Sequence, residues 1–263
     1  MSYLKSCSIK KPEGKISLLN IDVFKHSSHL SFDPGLNVIM GQNGCGKSSL
    51  VEALALPMHL PQMDDRADWN DGFEIAKSAQ PYLQINFHKK PTSGFFFRVE
   101  DFSKYINAVQ QEKGRLYNDL GDLPKKYKGR IIDEMNESHN YFLQRMRRKY
   151  GDNLTTLSHG NACLAILEVG MQSGGLILLD EPEQGLHPIY LTKLIDTIRE
   201  KAQLPDHQFI IATHSPLIAS IPGAALYEIQ PDGIKRLAYQ ETDHYKITRA
   251  YMDGIDRLIN RPP

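Results

Sequence analysis

Little in this sequence pulls it toward any one partner. Lysine plus arginine and aspartate plus glutamate each number 31, so the formal net charge is zero. No global field steers the chain to nucleic acid or an anionic membrane, and such binding needs a local patch. Long apolar runs are missing too. Stretches such as Leu176–Leu179 fall far short of the roughly 20 residues that span a bilayer, and Met1–Lys11 lacks the apolar centre of a signal peptide, so no membrane association is expected. The 3 cysteines, Cys7, Cys45 and Cys163, are an odd number without ligand-like spacing. That excludes a disulfide framework or a structural zinc site and favours a reducing, cytoplasmic setting. No internal repeat or low-complexity tract shows. The 263 residues, 41% apolar and 24% charged, suffice for one large globular domain or two small ones.

What is there is a layered pattern. Up to about Leu60, the apolar runs Ile16–Val23 and Leu36–Met40 read as strands, broken by turn residues such as Asp33-Pro34-Gly35. Residues 62–72, with Asp64, Asp65, Asp68 and Asp71, read as a solvated acidic loop rather than a metal site. Leu83, Ile85 and Phe87 alternate with polar residues, and Gly94 precedes Phe95-Phe96-Phe97, so two strands follow, the aromatic run serving as sheet core rather than a base-stacking platform. Ile132, Met135, His139, Phe142, Leu143 and Met146 recur at three- and four-residue spacing, which predicts a helix ending near Gly151 with His139 packed on its apolar stripe. From Leu157 onward strands and helices alternate: Leu176–Leu179, the stripe Leu191, Leu194, Ile195 and Ile198 after Pro188, then Phe209–Ala212. Such alternation predicts an α/β fold with a largely parallel sheet.

Gly41-Gln42-Asn43-Gly44-Cys45-Gly46-Lys47-Ser48 fits the phosphate-loop spacing of glycine, four residues, glycine, lysine and a hydroxyl residue, between a predicted strand and a helix. Gly41, Gly44 and Gly46 let the backbone curl so that N–H groups from Asn43 to Ser49 point at phosphate oxygens, and the helix adds its positive end. Lys47 would bridge the β- and γ-phosphates of ATP, and Ser48 would ligate Mg2+. Leu176–Leu179 runs into Asp180-Glu181, as a buried central strand would whose end reaches that site. Asp180 is the second candidate metal ligand, and Glu181 the candidate base that polarises the attacking water. Leu157-Ser158-His159-Gly160-Asn161 opens an apolar helix from Ala162 to Met171, and Ala212-Thr213-His214-Ser215 ends a later strand. A hydroxyl and a glycine at a helix start suit an anion. Cys45 sits where helix-end N–H groups and Lys47 act on a thiol, although a small residue tolerated in the loop is the preferred reading.

In this order the motifs resemble those of the ABC-type ATPases: Walker A loop, Leu-Ser-Gly-Gly-Gln signature, Walker B and switch histidine. The resemblance covers nearly the whole chain. It implies one ATPase domain over residues 1–263, with a β-rich part (1–100) carrying the Walker A loop, a helical subdomain (101–156) and a lobe (157–263) carrying the other three motifs. It also implies an ATP-dependent, head-to-tail homodimer in which Ser158 and Gly160 of one subunit contact the γ-phosphate held by the other, while His214 senses that phosphate in its own subunit. Short stand-alone bacterial ATPases of the AAA or ABC type are more similar still, through Ser2-Tyr3-Leu4-Lys5-Ser6, Gly94–Arg98 with Glu100, Leu157–Gly160 and Thr242-Asp243-His244-Tyr245. Their mechanistic relatives look like the heads of chromosome-maintenance and repair ATPases and the overcoming-lysogenization-defect proteins, whose long coiled-coil arms the segment between Phe102 and Thr156 is too short to form.

The chain departs from the pattern in places. His159 and Asn161 replace glycine and glutamine of the signature. The glutamine that links the site to the helical subdomain has no clear counterpart, and Glu100, Gln84 and Gln110 are the alternatives. Glu181-Pro182-Glu183-Gln184-Gly185-Leu186-His187-Pro188 lacks the Thr-Ser-Ala-Leu-Asp form of transporter ATPases, which favours a non-transport role. Arg145, Arg147, Arg148 and Lys149, with Lys125, Lys126, Lys128 and Arg130, form the densest basic run. Such a run is more often a solvated helix face than a DNA site. A switch that hydrolyses ATP and acts on DNA or an effector protein is the preferred expectation. Its alternative is a nucleotide-gated module that regulates an effector such as a nuclease with little turnover.

Overall fold

The computed structural model describes residues 2–12, 16–60, 62, 73–102, 159–172 and 174–259. Strands β1 (Leu4–Ile9), β2 (Ser28–Ser31) and β4 (Leu83–Phe87) form an antiparallel sheet in the order β2-β1-β4. Strands β3 (Gly35–Gly41), β5 (Gly94–Arg98), β6 (Gly175–Asp180), β7 (His207–Ala212), β8 (Ala225–Gln230) and β9 (Gly233–Arg236) form the larger sheet in the order β5-β6-β7-β3-β8-β9. Its neighbours are parallel except for the antiparallel edge pair β8–β9, so the sheet is mixed and mainly parallel, in an α/β fold. The described helices are α1 (Ile16–Leu19), α2 (Asp22–Lys25), α3 (Lys47–Ala55), α4 (Glu74–Ala79), α5 (His159–Gly170), α6 (Pro188–Lys201), α7 (Pro216–Ala219) and α8 (Asp243–Ile259).

Apart from the edge strand β9, the strands of the large sheet are buried on both faces, which is why they read as largely apolar runs. Successive residues still divide between two cores, as the pleat requires. Phe95, Phe97, Ile177, Leu179, Phe209 and Ile211 enter one core with Ile166 and Leu167 of α5 and Leu194 and Ile198 of α6. Phe96, Leu176, Leu178 and Ile210 enter the other with Leu50, Val51 and Leu54 of α3. Helices α3 and α5 therefore cover opposite faces. The large and small sheets are joined by Gln208 in β7, which is fully buried. Its Oε1 accepts from the N–H groups of Tyr3 and Leu4 at 2.8 and 2.7 Å, and its Nε2 donates to the carbonyls of Leu4 and Asp33 at 2.9 and 3.1 Å.

Helix α6 is legible from its ends: His187 is the N-cap, Pro188 opens the first turn, Arg199 and Lys201 occupy the last, and Leu191, Leu194 and Ile198 make its buried stripe. The run Ile16–Val23 is a correction. It forms α1 and the start of α2, not a strand. A short apolar run fits either period, and here the Val23 N–H is taken by the Cys45 carbonyl at 2.9 Å, so the segment folds under the phosphate loop instead of joining a ladder.

The parallel direction of β3, β6 and β7 brings Gly41, Asp180 and Ala212 to one rim of the sheet, the edge where α/β folds bind ligands. The predicted helical subdomain beyond Phe102, the 132–146 stripe with His139, the 125–149 basic residues, Gln110, Leu157 and Ser158 lie outside the described residues. So does the predicted acidic loop, apart from Gln62.

Candidate functional site

The loop after β3 is shaped by glycines where side chains would collide. Gly46 is the N-cap of α3 with φ +100°, and a Cβ there would meet Ile21 Cγ2 at 2.5 Å and Val23 Cγ1 at 2.6 Å. At Gly41 a Cβ would come within 2.6 Å of Cys45 Sγ. These are the positions where the backbone must run close to its surroundings in conformations that L residues rarely adopt. Lys47 is 4% exposed, and its Nζ donates to the carbonyls of Gly41 and Gln42, each at 3.2 Å, which holds the ammonium over the mouth of the loop. Among the described residues no side chain caps α3, so its first N–H groups and positive end face the same space. Cys45 has its thiol pKa raised by burial, against the opposing pull of Lys47, so the loop does not activate it.

Across β7 from the loop, β6 ends at Asp180, which is 4% exposed. Burial pushes its carboxyl up to about 7 even though the Ser48 hydroxyl donates to it, and the nearby Glu181 and Glu52 charges add to the rise. Asp180 Oδ1 is buried and finds no hydrogen-bond partner among the described residues. A buried carboxylate oxygen left over beside a hydroxyl is a hard-oxygen pair suited to a small divalent cation. Next in the chain, Glu181 has φ +49°, a left-handed backbone unusual for a side-chain-bearing residue. Its N–H donates to the Ala212 carbonyl at 2.9 Å and its carbonyl accepts from the Gln184 N–H at 3.1 Å, so both ends of the strained unit are held. The bend carries Glu181 Oε1 to 3.4 Å from His214 Nε2 at the end of β7. The pKa of His214 is lowered, chiefly by burial and then by the Lys47 charge, with Glu183 acting in the opposite direction.

Lys47, Ser48, Asp180, Glu181 and His214 thus share one rim. Gly160 does not sit among them. It is buried near the start of α5, where a Cβ would meet Tyr190 Cδ2 at 3.2 Å, on the face opposite α3. A Cβ on Gly160 would also lie 3.6 Å from the Gly185 carbonyl, in the turn after β6, whereas one on Gly170 would meet Phe95 near the start of β5, so α5 starts at the same rim as the phosphate loop and runs antiparallel to those strands. Glu100 lies two residues past the end of β5, where Arg98 pairs with Asp180, and its charge contributes to the raised pKa of Glu52. Gln84 is placed in β4, opposite Ser8 in the small sheet, away from the rim.

Three groups were not singled out for the site from the sequence. Arg98, 7% exposed, donates from Nη1 to Glu52 at 2.7 Å and from Nε and Nη2 to Asp101 at 2.9 and 2.7 Å. Its guanidinium also lies 4.6 Å from the Phe73 ring centre. Glu183 Oε1 accepts from Thr213 Oγ1 at 2.6 Å and from the N–H groups of His214 and Ser215 at 2.8 and 3.0 Å. His244 faces a cavity of about 550 Å³ shared with Gly41, Gln42 and His214. The third acid of Asp180-Glu181-Pro182-Glu183 was a visible signal for Glu183, but no local pattern shows what it binds.

The family described as "AAA domain" matches residues 15–158, and a second AAA-domain family, whose description adds the AbiEii toxin of a Type IV TA system, matches residues 161–220. A relative from Thermoplasma volcanium, the DNA double-strand break repair Rad50 ATPase, is 28% identical over 88 residues, 34% of this chain and 8% of its own length. The probable ABC transporter ATP-binding protein p29 of Mesomycoplasma hyorhinis is 23% identical over 219 residues, 79% of this chain and 84% of the relative. Among solved structures, the ADP conformation of MJ1267, an ATP-binding cassette of an ABC transporter, superposes with a TM-score of 0.47 at 15% identity, covering 99% of this chain and 100% of that one.

Proposed function

From the premise that the chain belongs to the family described as an AAA domain, we propose that it is an ABC-type ATPase related to chromosome-maintenance heads, a Mg2+-dependent, ATP-hydrolysing switch that closes as a head-to-tail homodimer in the cytoplasm. One observation carries the proposal: Lys47, Ser48, Asp180, Glu181 and His214 come from three adjacent strand ends and meet on one rim, with Asp180 Oδ1 buried and unpaired beside Ser48.

In this mechanism the N–H groups from Asn43 to Ser49 receive the phosphates, and Lys47 exchanges its two carbonyl partners for the β- and γ-oxygens. Ser48 and Asp180 would hold Mg2+, which when bound neutralises charge on those oxygens. Glu181, fixed by its left-handed backbone, accepts or orients the proton of the attacking water. His214 meets the γ-phosphate from the β7 side. Ser158 and Gly160 complete the site of the partner subunit. The start of α5 on the same rim as the phosphate loop, but on the opposite face of the sheet, supports that arrangement, since a second copy must turn around to bring the two together. Residues 1–263 act as one unit, and closure is handed to DNA or an effector protein.

Phosphate release under Mg-ATP, with calorimetric ATP titration of the same samples, tests the proposal. Wild type should turn over. Lys47→Ala should bind ATP tenfold to a hundredfold more weakly, the equivalent of roughly 1.5–3 kcal/mol for one charge-assisted contact. A wild type that neither binds nor hydrolyses ATP would overturn it.

A further inference from the structure

We propose that Glu183 is a positioning residue for hydrolysis: it staples the turn that carries Glu181 to the turn that carries His214 and so sets the approach of the two reacting side chains. The claim rests on the ATPase proposal above. A single oxygen, Oε1, accepts from the Thr213 hydroxyl at 2.6 Å, the His214 N–H at 2.8 Å and the Ser215 N–H at 3.0 Å. The Ser215 N–H also donates to Thr213 Oγ1 at 2.8 Å, so hydroxyl, carboxylate and amides form one closed cup.

The bonds reach 30 to 32 positions along the chain, so they are not local capping; the N-cap of α7 is Ser215 itself, whose hydroxyl accepts from Ile218. Each side of the staple is anchored to a different strand. On one side, Glu183 follows the strained Glu181, and its carbonyl accepts from the Leu186 N–H at 3.0 Å. On the other, the Thr213 N–H donates to the Ile39 carbonyl at 3.1 Å, on the strand that leads into the phosphate loop. Beyond Asp180 and Ala212, which are paired in the ladder, the Glu181 N–H bond to the Ala212 carbonyl is the one backbone hydrogen bond between these two turns among the described residues. The carboxylate supplies the rest. Through it the base, the phosphate sensor and the phosphate-loop strand move as one body, and the 3.4 Å spacing of Glu181 Oε1 and His214 Nε2 is its product.

The test compares wild type, Glu183→Ala, Glu183→Gln, His214→Ala and the Glu183→Ala/His214→Ala pair in steady-state ATP hydrolysis. Glu183→Ala should lose kcat by roughly 10- to 100-fold with KM near wild type, as a misplaced reacting group does. Glu183→Gln keeps an acceptor oxygen in the cup and should retain most of kcat. The double variant should be no slower than His214→Ala, because Glu183 acts through that histidine. Normal kcat in Glu183→Ala, equal damage from alanine and glutamine, or losses that multiply would overturn the assignment. Should Glu183→Ala not fold, Thr213→Val removes the hydroxyl's bond to Glu183, together with the one it accepts from the Ser215 N–H, while leaving the carboxylate in place, and should show the same kcat-selective loss. If wild type does not turn over ATP, the ATPase proposal fails separately. The staple is then judged by the His214 imidazole signal in NMR, which should move in Glu183→Ala and stay in Glu183→Gln; a signal unmoved in both overturns it.

Discussion

His214 Nε2 lies 3.4 Å from Glu181 Oε1, with the Glu181 side chain 17% exposed and that of His214 35% exposed. The two residues follow the ends of neighbouring strands, β6 and β7. Glu181→Gln keeps the shape and loses the basic oxygen. It should bind ATP as wild type does and lose hydrolysis by about a hundredfold or more, the range of general-base contributions. Parallel ATP titration and phosphate-release assays check this, and near-normal turnover would remove Glu181 from the role.

Asp180 gives a pH signature. Burial raises its carboxyl from the ordinary 3.8 to about 7. A carboxyl whose pKa is higher in the folded than in the unfolded chain binds extra protons on folding. Its contribution to stability is therefore complete below the unfolded pKa and is lost as pH rises through about 7. Asp180→Asn removes the titration. In chelator, its melting temperature should exceed that of wild type by a margin that grows from pH 5 to pH 8, with a ceiling of about 4 kcal/mol for a shift of roughly three units. Mg-dependent hydrolysis should be lost in the same variant. A margin that shrinks with rising pH contradicts the assignment.

Arg98 is the hub that holds Glu52 of α3 to Asp101. Burial alone would lower the pKa of the guanidinium, but the bonds to Asp101 and Glu52 outweigh it, and Arg98 stays charged. Removing one partner leaves Glu52, itself driven up by burial, without its cation. Arg98→Met should cost about 3–5 kcal/mol in urea unfolding, and adding Glu52→Gln should recover part of that loss. A cost within 1 kcal/mol, or strictly additive losses, would show that the network is peripheral.

The legible parts of this molecule are those whose chemistry is written in adjacent residues. The phosphate loop needs its glycines, Lys47 and Ser48 in a row, and a central parallel strand must be apolar up to the rim, so Leu176–Leu179 announced where Asp180 and Glu181 stand. The alternation of strands and helices from Leu157 onward pointed to the mainly parallel sheet. Ile16–Val23 was misread because eight residues of mixed apolar character satisfy both periods, and the Val23–Cys45 backbone bond that decides between them is made at a distance. Glu183 and Arg98 escaped notice for a related reason. Their meaning lies in partners up to 46 positions away, which only the sheet order brings together.

The central claim is that ATP closes two copies head to tail. Light scattering of Glu181→Gln with and without Mg-ATP tests it most directly, because trapped ATP should hold the closed form long enough to weigh. The account predicts a doubling of mass on addition of ATP, abolished when Ser158→Arg is added, with ATP binding by each protomer retained. A protein that stays monomeric with ATP, or that dimerises normally with Ser158→Arg, would contradict it.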